Sequence, residues 1–228
     1  MPALVALPGT GSDGDYVHRA FGPAAASLHL DLIALEPSSD LVRGYLQQLD
    51  HLADDADEPI VVGGVSIGAA IALEWALRRG ADCAGVWAAL PAWTGDPATA
   101  PAAFSAIVTA DALVADGLEA TIAGMAASSP PWLAAELDRS WRSLYPGLVD
   151  HLRQAAGYRS PESAQIATLT APLAITAAVD DLVHPLQVGR DWAAAAPRSE
   201  VSEVTLAEWG HDPSVLGFGC ARGWLALR

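Results

Sequence analysis

The stretch GVSIG, residues 64–68, lies between two segments of different character. Before it, the apolar residues 59–63 predict a β-strand, and after it residues 67–79 predict a helix. A G-x-S-x-G turn between a strand and a helix holds its serine on a strained bend, with the hydroxyl exposed at the edge of the sheet. The pattern predicts a nucleophile at Ser66, with a flexible Gly-Ser loop as the alternative. Glycines suit this turn because side chains there would collide where the helix folds back against the strand.

The composition indicates a globular chain that is most simply one domain. It has 228 residues, of which 52% are hydrophobic and 17% are charged. The 27 acidic and 12 basic residues give a net charge of −15, which makes nucleic acids and anionic membrane surfaces poor partners. We find no secretory leader and no apolar run long enough to cross a membrane, and we expect a cytoplasmic protein.

Strand-like and helix-like segments alternate along most of the chain. This alternation is typical of an α/β fold, and we predict a mostly parallel sheet of about six strands with helices on both faces. The predicted strands are 3–7, 31–35, 59–63, 83–90, 172–178 and 201–207. The predicted helices are 15–27, 41–53, 67–79, 186–195 and 213–227, and Ser38 or Ser39 is the expected N-cap of the second.

The alternation stops between the fourth and fifth strands. Residues 92–170, called the helical insertion below, contain no convincing strand. We expect the insertion to be a cap over the carboxyl edge of the sheet, where ligands bind in such folds. The prediction is therefore a core of residues 1–91 and 171–228 with an inserted cap. Its predicted helices are 102–115, 117–127, 132–143 and 148–156.

Two later segments, together with the GVSIG turn, resemble the α/β-hydrolase superfamily. Residues 177–185 are similar to the acid loop of that family, in which an aspartate lies four residues before a proline, and this register selects Asp181. His211 follows the last predicted strand, where the family keeps its histidine. The resemblance implies a triad in which Ser66 attacks, His211 moves the proton and Asp181 orients the histidine.

The resemblance also implies an oxyanion hole made of two backbone N–H groups. One belongs to Ile67, and Thr10 is the expected second donor, from a loop where Pro8 stands in place of the family's usual histidine. A neighbour of Thr10 is left open as the donor. The rival interpretation of this Gly-rich loop, phosphate binding, is disfavoured because the lysine of a P-loop and a G-x-G-x-x-G pattern are both missing.

The other candidate groups are interpreted as background. The histidines outside the triad show no ligand spacing, so we expect no metal site, and nothing suggests a cofactor. Trp93, directly after the fourth strand, is the best candidate for lining a substrate pocket, although aromatic residues at such positions more often serve packing. The histidines concerned are His18, His29, His51, His151 and His184.

These features together predict a serine hydrolase that cleaves a carboxylic ester or lactone of a small, mostly apolar molecule through an acyl-enzyme. Apolar residues of the helical insertion are expected to line the pocket. A thioesterase or acyltransferase of a biosynthetic pathway would use the same triad. A non-hydrolytic binding protein or cyclase on the same scaffold is a further alternative. The expected pocket residues are Phe104, Ile107, Leu113, Leu118, Ile122, Met125, Trp132, Leu133, Leu137 and Leu144.

Overall fold

The computed structural model describes residues 3–228, which form one parallel sheet surrounded by helices. The six strands are β1 Ala3–Leu7, β2 Asp31–Ala34, β3 Ile60–Val65, β4 Cys83–Ala89, β5 Leu173–Ala178 and β6 Ser199–Val204. Their spatial order is β2-β1-β3-β4-β5-β6, and every pairing is parallel. The chain runs from β1 outward to β2 and then crosses back to β3. The carboxyl ends of β1 and β3 are therefore neighbours at a topological switch point, where open α/β sheets bind their ligands.

Eleven α-helices accompany the strands in the described part of the chain. One buried cluster packs α1 and α11 on one face of the sheet, and another packs α2, α3 and α9 on the other. No helix within residues 3–228 combines the length and apolar character that a membrane crossing requires. The helices are α1 Gly14–Ser27, α2 Leu41–Asp54, α3 Ile67–Arg79, α4 Pro101–Ala115, α5 Gly117–Ser128, α6 Pro131–Leu144, α7 Leu148–Ala156, α8 Ser163–Ile166, α9 Leu186–Ala195, α10 Leu206–His211 and α11 Ser214–Ala226.

The sequence predictions of elements differ from the structure in two places that matter. Asp40, rather than Ser38 or Ser39, is the N-cap of α2, and its side chain accepts a hydrogen bond from the backbone N–H of Arg43. The last strand ends at Val204 instead of continuing to residue 207, and α10 begins directly afterwards. The prediction missed α10 altogether.

The helical insertion is helical as predicted. Most of its expected pocket residues, however, pack in or against the buried core or are exposed to solvent. Leu113 and Ile122 belong to the same buried cluster as Ile71 of the sheet-covering helix α3. Phe104 and Ile107 point the other way and are 71% and 47% exposed. The apolar surface of the insertion therefore packs on the main core or faces outward. The division of the chain into a core and a separate cap stays a prediction.

The two glycines of the GVSIG turn are required on steric grounds, as expected. A Cβ atom on Gly64 would lie 2.6 Å from both the carbonyl carbon of Gly68 and the carbonyl oxygen of Leu7. A Cβ atom on Gly68 would lie 2.5 Å from the same Leu7 oxygen and 2.6 Å from the carbonyl oxygen of Pro8. All of these neighbours are backbone atoms, which cannot move aside as a flexible side chain would. The glycines thus let α3 start against the end of β1.

Candidate active site

Ser66 occupies the sharp turn between β3 and α3. Its backbone has φ 55° and ψ −117°, a left-handed conformation that is uncommon for a residue with a side chain. Ser66 is the N-cap residue of α3, but its hydroxyl makes no capping hydrogen bond. The side chain is partly exposed, and the strained backbone leaves its hydroxyl free for another partner.

That partner is His184, in the loop between β5 and α9. Nε2 of His184 lies 3.0 Å from Oγ of Ser66, and Nδ1 lies 2.7 Å from Oδ2 of Asp181. An ionised carboxylate can only accept hydrogen bonds, so Nδ1 carries the proton and Nε2 of the neutral ring accepts from the serine hydroxyl. The three side chains form a continuous hydrogen-bonded chain from carboxylate to hydroxyl.

The surroundings of the Asp181 side chain favour its ionised form. Its side chain is 8% exposed, and burial alone would raise its pKa. The hydrogen bond from His184, the positive charge of its ring when protonated, and the backbone N–H groups of Val183 and His184 outweigh burial and hold the pKa of Asp181 below its usual value. Oδ1 accepts from the backbone N–H of Val183 at 2.8 Å. Asp181 is therefore ionised at neutral pH and fixed in orientation.

The expectation that His211 completes the triad does not match the structure. His211 is exposed at the end of α10, and among residues 3–228 it makes no hydrogen bond to Ser66 or Asp181. The helix is anchored elsewhere, because the ring of Trp209 stacks edge-on against Trp132 at 5.0 Å. The structure gives to His184 the two hydrogen bonds that were predicted for His211.

Two sequence signals could have indicated this arrangement. Thr205 and Glu208 form a capping box, whose S/T-x-x-E pattern predicts a helix start where the sequence analysis placed the end of a strand. His184 lies three residues after Asp181 in the same loop, which is close enough for their side chains to meet. Its interpretation as background was therefore wrong.

The expected oxyanion-hole groups lie on both sides of the switch point. A Cβ atom on Gly9, the neighbour of Thr10, would lie 3.6 Å from Cβ of Ser66, so the loop after β1 borders the serine. Within residues 3–228, the backbone N–H groups of Thr10 and Ile67 donate to no other backbone group. Ile67 is also the first residue of α3, where the helix dipole favours negative charge.

Trp93 serves packing in this structure. It is 7% exposed within the main buried cluster, and its indole N–H donates to the carbonyl oxygen of Tyr158 at 3.1 Å. The bond links the start of the helical insertion to the segment that follows α7. Its predicted role as a pocket residue is not supported by these contacts, which agree with the packing interpretation.

The comparisons with known proteins agree with this architecture. The profile described as "Alpha/beta hydrolase family" matches residues 3–217. The chain belongs to the alpha/beta hydrolase family. No curated protein matches the sequence of this hydrolase.

Several solved structures share the fold of the hydrolase at low sequence identity. A putative non-heme bromoperoxidase, BpoC of Mycobacterium tuberculosis, is 18% identical with a TM-score of 0.71, and the match covers 100% of this chain and 94% of that one. MenH of S. aureus is 17% identical with a TM-score of 0.70, covering 95% and 92%. The enol-lactonase of Burkholderia xenovorans is 14% identical with a TM-score of 0.70, covering 90% and 83%. These likenesses concern the fold.

Proposed function

We propose that this hydrolase cleaves a carboxylic ester or lactone through an acyl-enzyme on Ser66. The observation that carries the proposal is the hydrogen-bonded chain from Asp181 through His184 to Ser66, on a serine held in a strained turn. A nucleophile in contact with a base, and a base oriented by a third group, is the arrangement that nucleophilic catalysis requires.

The proposed reaction begins when Oγ of Ser66 attacks the substrate carbonyl carbon and its proton passes to Nε2 of His184. The resulting imidazolium is stabilised by the Asp181 carboxylate. The bond from carbon to the leaving oxygen then breaks, and the proton on Nε2 moves to that oxygen. Water then attacks the acyl carbon and passes a proton to Nε2 of His184. The bond between that carbon and Oγ of Ser66 breaks as Nε2 returns the proton to Oγ, which releases the acid and restores the serine hydroxyl.

We assign the oxyanion hole to the backbone N–H groups of Ile67 and Thr10. Negative charge that develops on the carbonyl oxygen during attack needs donors that are already in place. The free N–H of Ile67 at the start of α3 and the closeness of the Gly9 turn to Ser66 support this assignment. The helical insertion, residues 92–170, is proposed to act as the cap of the site.

Labelling with a fluorophosphonate tests the proposal, because this probe phosphonylates activated serines. We expect the wild-type protein to gain one label on the peptide that contains Ser66, as read by mass spectrometry. Ser66→Ala should remove the label, and Ser105→Ala, at an exposed serine of α4, should retain it. Absence of labelling in the folded wild-type protein would contradict a nucleophilic Ser66 and favour a binding protein on this scaffold.

We further propose that the substrate carries an apolar acyl or aryl group. The loop that holds the base exposes three large apolar side chains, Val179, Leu182 and Val183, and Leu182 is 87% exposed. Leu182 and Val183 lie between Asp181 and His184 in sequence, and His184 contacts Ser66. We expect an apolar group of a substrate bound at Ser66 to cover these side chains. Burying apolar surface in this way strengthens binding of the transition state.

An acyl series measured on two leucine variants checks the substrate class. In the wild type, kcat/KM should rise from acetyl to medium acyl esters. Leu182→Ser should lower kcat/KM about fivefold for hexanoyl esters and leave acetyl esters nearly unchanged. Leu225→Ser is the matched control, since Leu225 is 51% exposed on α11. A flat acyl profile, or equal effects of the two substitutions, would contradict the apolar substrate.

A further inference from the structure

Helix α6 of the helical insertion binds the loop that follows β1. The hydroxyl of Ser140 donates a hydrogen bond to the carbonyl oxygen of Gly11 at 2.6 Å. Ser140 is fully buried, with 0% exposure, so water does not compete for this bond. Gly11 directly follows Thr10, whose N–H is the proposed oxyanion donor. The hydrogen bond therefore fixes the Gly11–Ser12 peptide, which lies two peptide units after the one that carries the N–H of Thr10.

Arg139, the neighbour of Ser140, holds the far end of the same loop. Its guanidinium donates to both carboxylate oxygens of Asp13, at 2.7 and 2.8 Å. Such paired contacts fix geometry as well as charge. Asp13 is also the N-cap of α1 and accepts from the backbone N–H of Tyr16. Burial raises the pKa of Asp13, but the Arg139 and Tyr16 bonds outweigh it and hold the pKa below its usual value.

Trp141 completes the contact. Gly11 has φ +75°, and a Cβ atom there would lie 2.8 Å from Nε1 of Trp141, so the indole packs directly on the loop backbone. Three consecutive residues of α6 thus contact residues 11–13. Inside the loop, the N–H of Ser12 donates to the carbonyl oxygen of Gly9 at 3.1 Å. The loop has a tight turn of its own and is held against α6.

We propose that Arg139, Ser140 and Trp141, called the α6 brace, position the oxyanion hole. They are positioning residues, because they act through the loop and do not touch the reacting atoms. The loop has Pro8 where the family usually has a histidine, and the brace supplies support from outside the loop. Backbone donors stabilise an oxyanion well only if they are fixed before the reaction. This inference rests on the proposed function for its catalytic consequence, but not for its structural one.

The kinetic test compares Ser140→Ala and Arg139→Ala with Arg142→Ala. Arg142 is the matched control, since it lies on the same helix and binds Glu119 and Asp138 away from the loop. A loosened donor costs stabilisation of the transition state, so we expect kcat to fall about tenfold or more in both brace variants, with KM within about twofold. Arg142→Ala should keep both constants. Equal losses in all three variants, or a change confined to KM, would overturn the positioning role.

Hydrogen–deuterium exchange of the same proteins gives a readout that needs no activity. We expect the peptide covering residues 8–13 to exchange at least about tenfold faster in Ser140→Ala and Arg139→Ala than in the wild type or Arg142→Ala. Unchanged exchange there would overturn the brace itself. The two proposals can fail separately. If the brace variants exchange faster but the wild-type protein neither hydrolyses esters nor reacts with the fluorophosphonate, the brace is supported and the proposed function is refuted.

Discussion

His184→Ala is expected to lower kcat/KM about 10⁴-fold or more, because it removes the group that hydrogen-bonds both Ser66 and Asp181. His211→Ala should leave kcat/KM within about twofold, since His211 is exposed at the end of α10. Steady-state hydrolysis of an aryl ester measures both values. Thermal unfolding of each variant verifies that the fold is retained.

The two histidine variants show whether His184 or His211 acts as the base for Ser66. If His211→Ala were the inactive variant and His184→Ala remained active, the histidine position implied by the family resemblance would operate in place of the one observed. Triad residues act as a unit, so Ser66→Ala combined with His184→Ala should be scarcely slower than either alone. Additive losses would contradict a shared mechanism.

Asp181→Asn is expected to lower kcat by about a thousandfold or more, because an amide can donate to Nδ1 of His184 and so favour the wrong tautomer. Asp180→Asn is the matched control on the adjacent residue. The Asp180 carboxylate accepts from the backbone N–H of Leu206 at 2.7 Å, a bond that an amide oxygen can retain. We expect Asp180→Asn to keep kcat within about threefold in the same ester assay. Inactivation by Asp180→Asn instead would identify a different acid.

The parts of the fold that follow from local rules were predictable. The strand–turn–helix around Ser66 was recognisable because β3 is a continuous apolar run and Gly64 and Gly68 have steric roles that only glycine fills. The prediction of Asp181 came from the resemblance of residues 177–185 to the acid loop of the family, and in the structure its carboxylate contacts His184. The bounds of α9 agree with the prediction because the segment begins after a proline and ends where its amphipathic pattern ends.

Two features could not be predicted, namely the position of His211 on a helix and the face of α4 that packs inward. The placement of His211 assumed a loop, whereas the Thr205–Glu208 capping box turns that segment into α10. The choice of inward-facing residues in the helical insertion was limited for a different reason. Helix α4 carries a single charged residue and is apolar around its circumference, so periodicity cannot distinguish the buried Leu113 from the exposed Phe104. Only packing decides which face turns inward.

Asp181 and His184 are three residues apart on one loop, so a single short segment contains both side chains and the hydrogen bond between them. Moving a single short segment, residues 179–185, would carry both groups and the contact between them to another scaffold, provided that a serine faces Nε2 there. Rotation of the loop would likewise displace both groups together and preserve their mutual contact. The partner of Ser66 therefore comes from a segment before α9, while the backbone N–H of Leu206, after α9, still holds the same loop through Asp180.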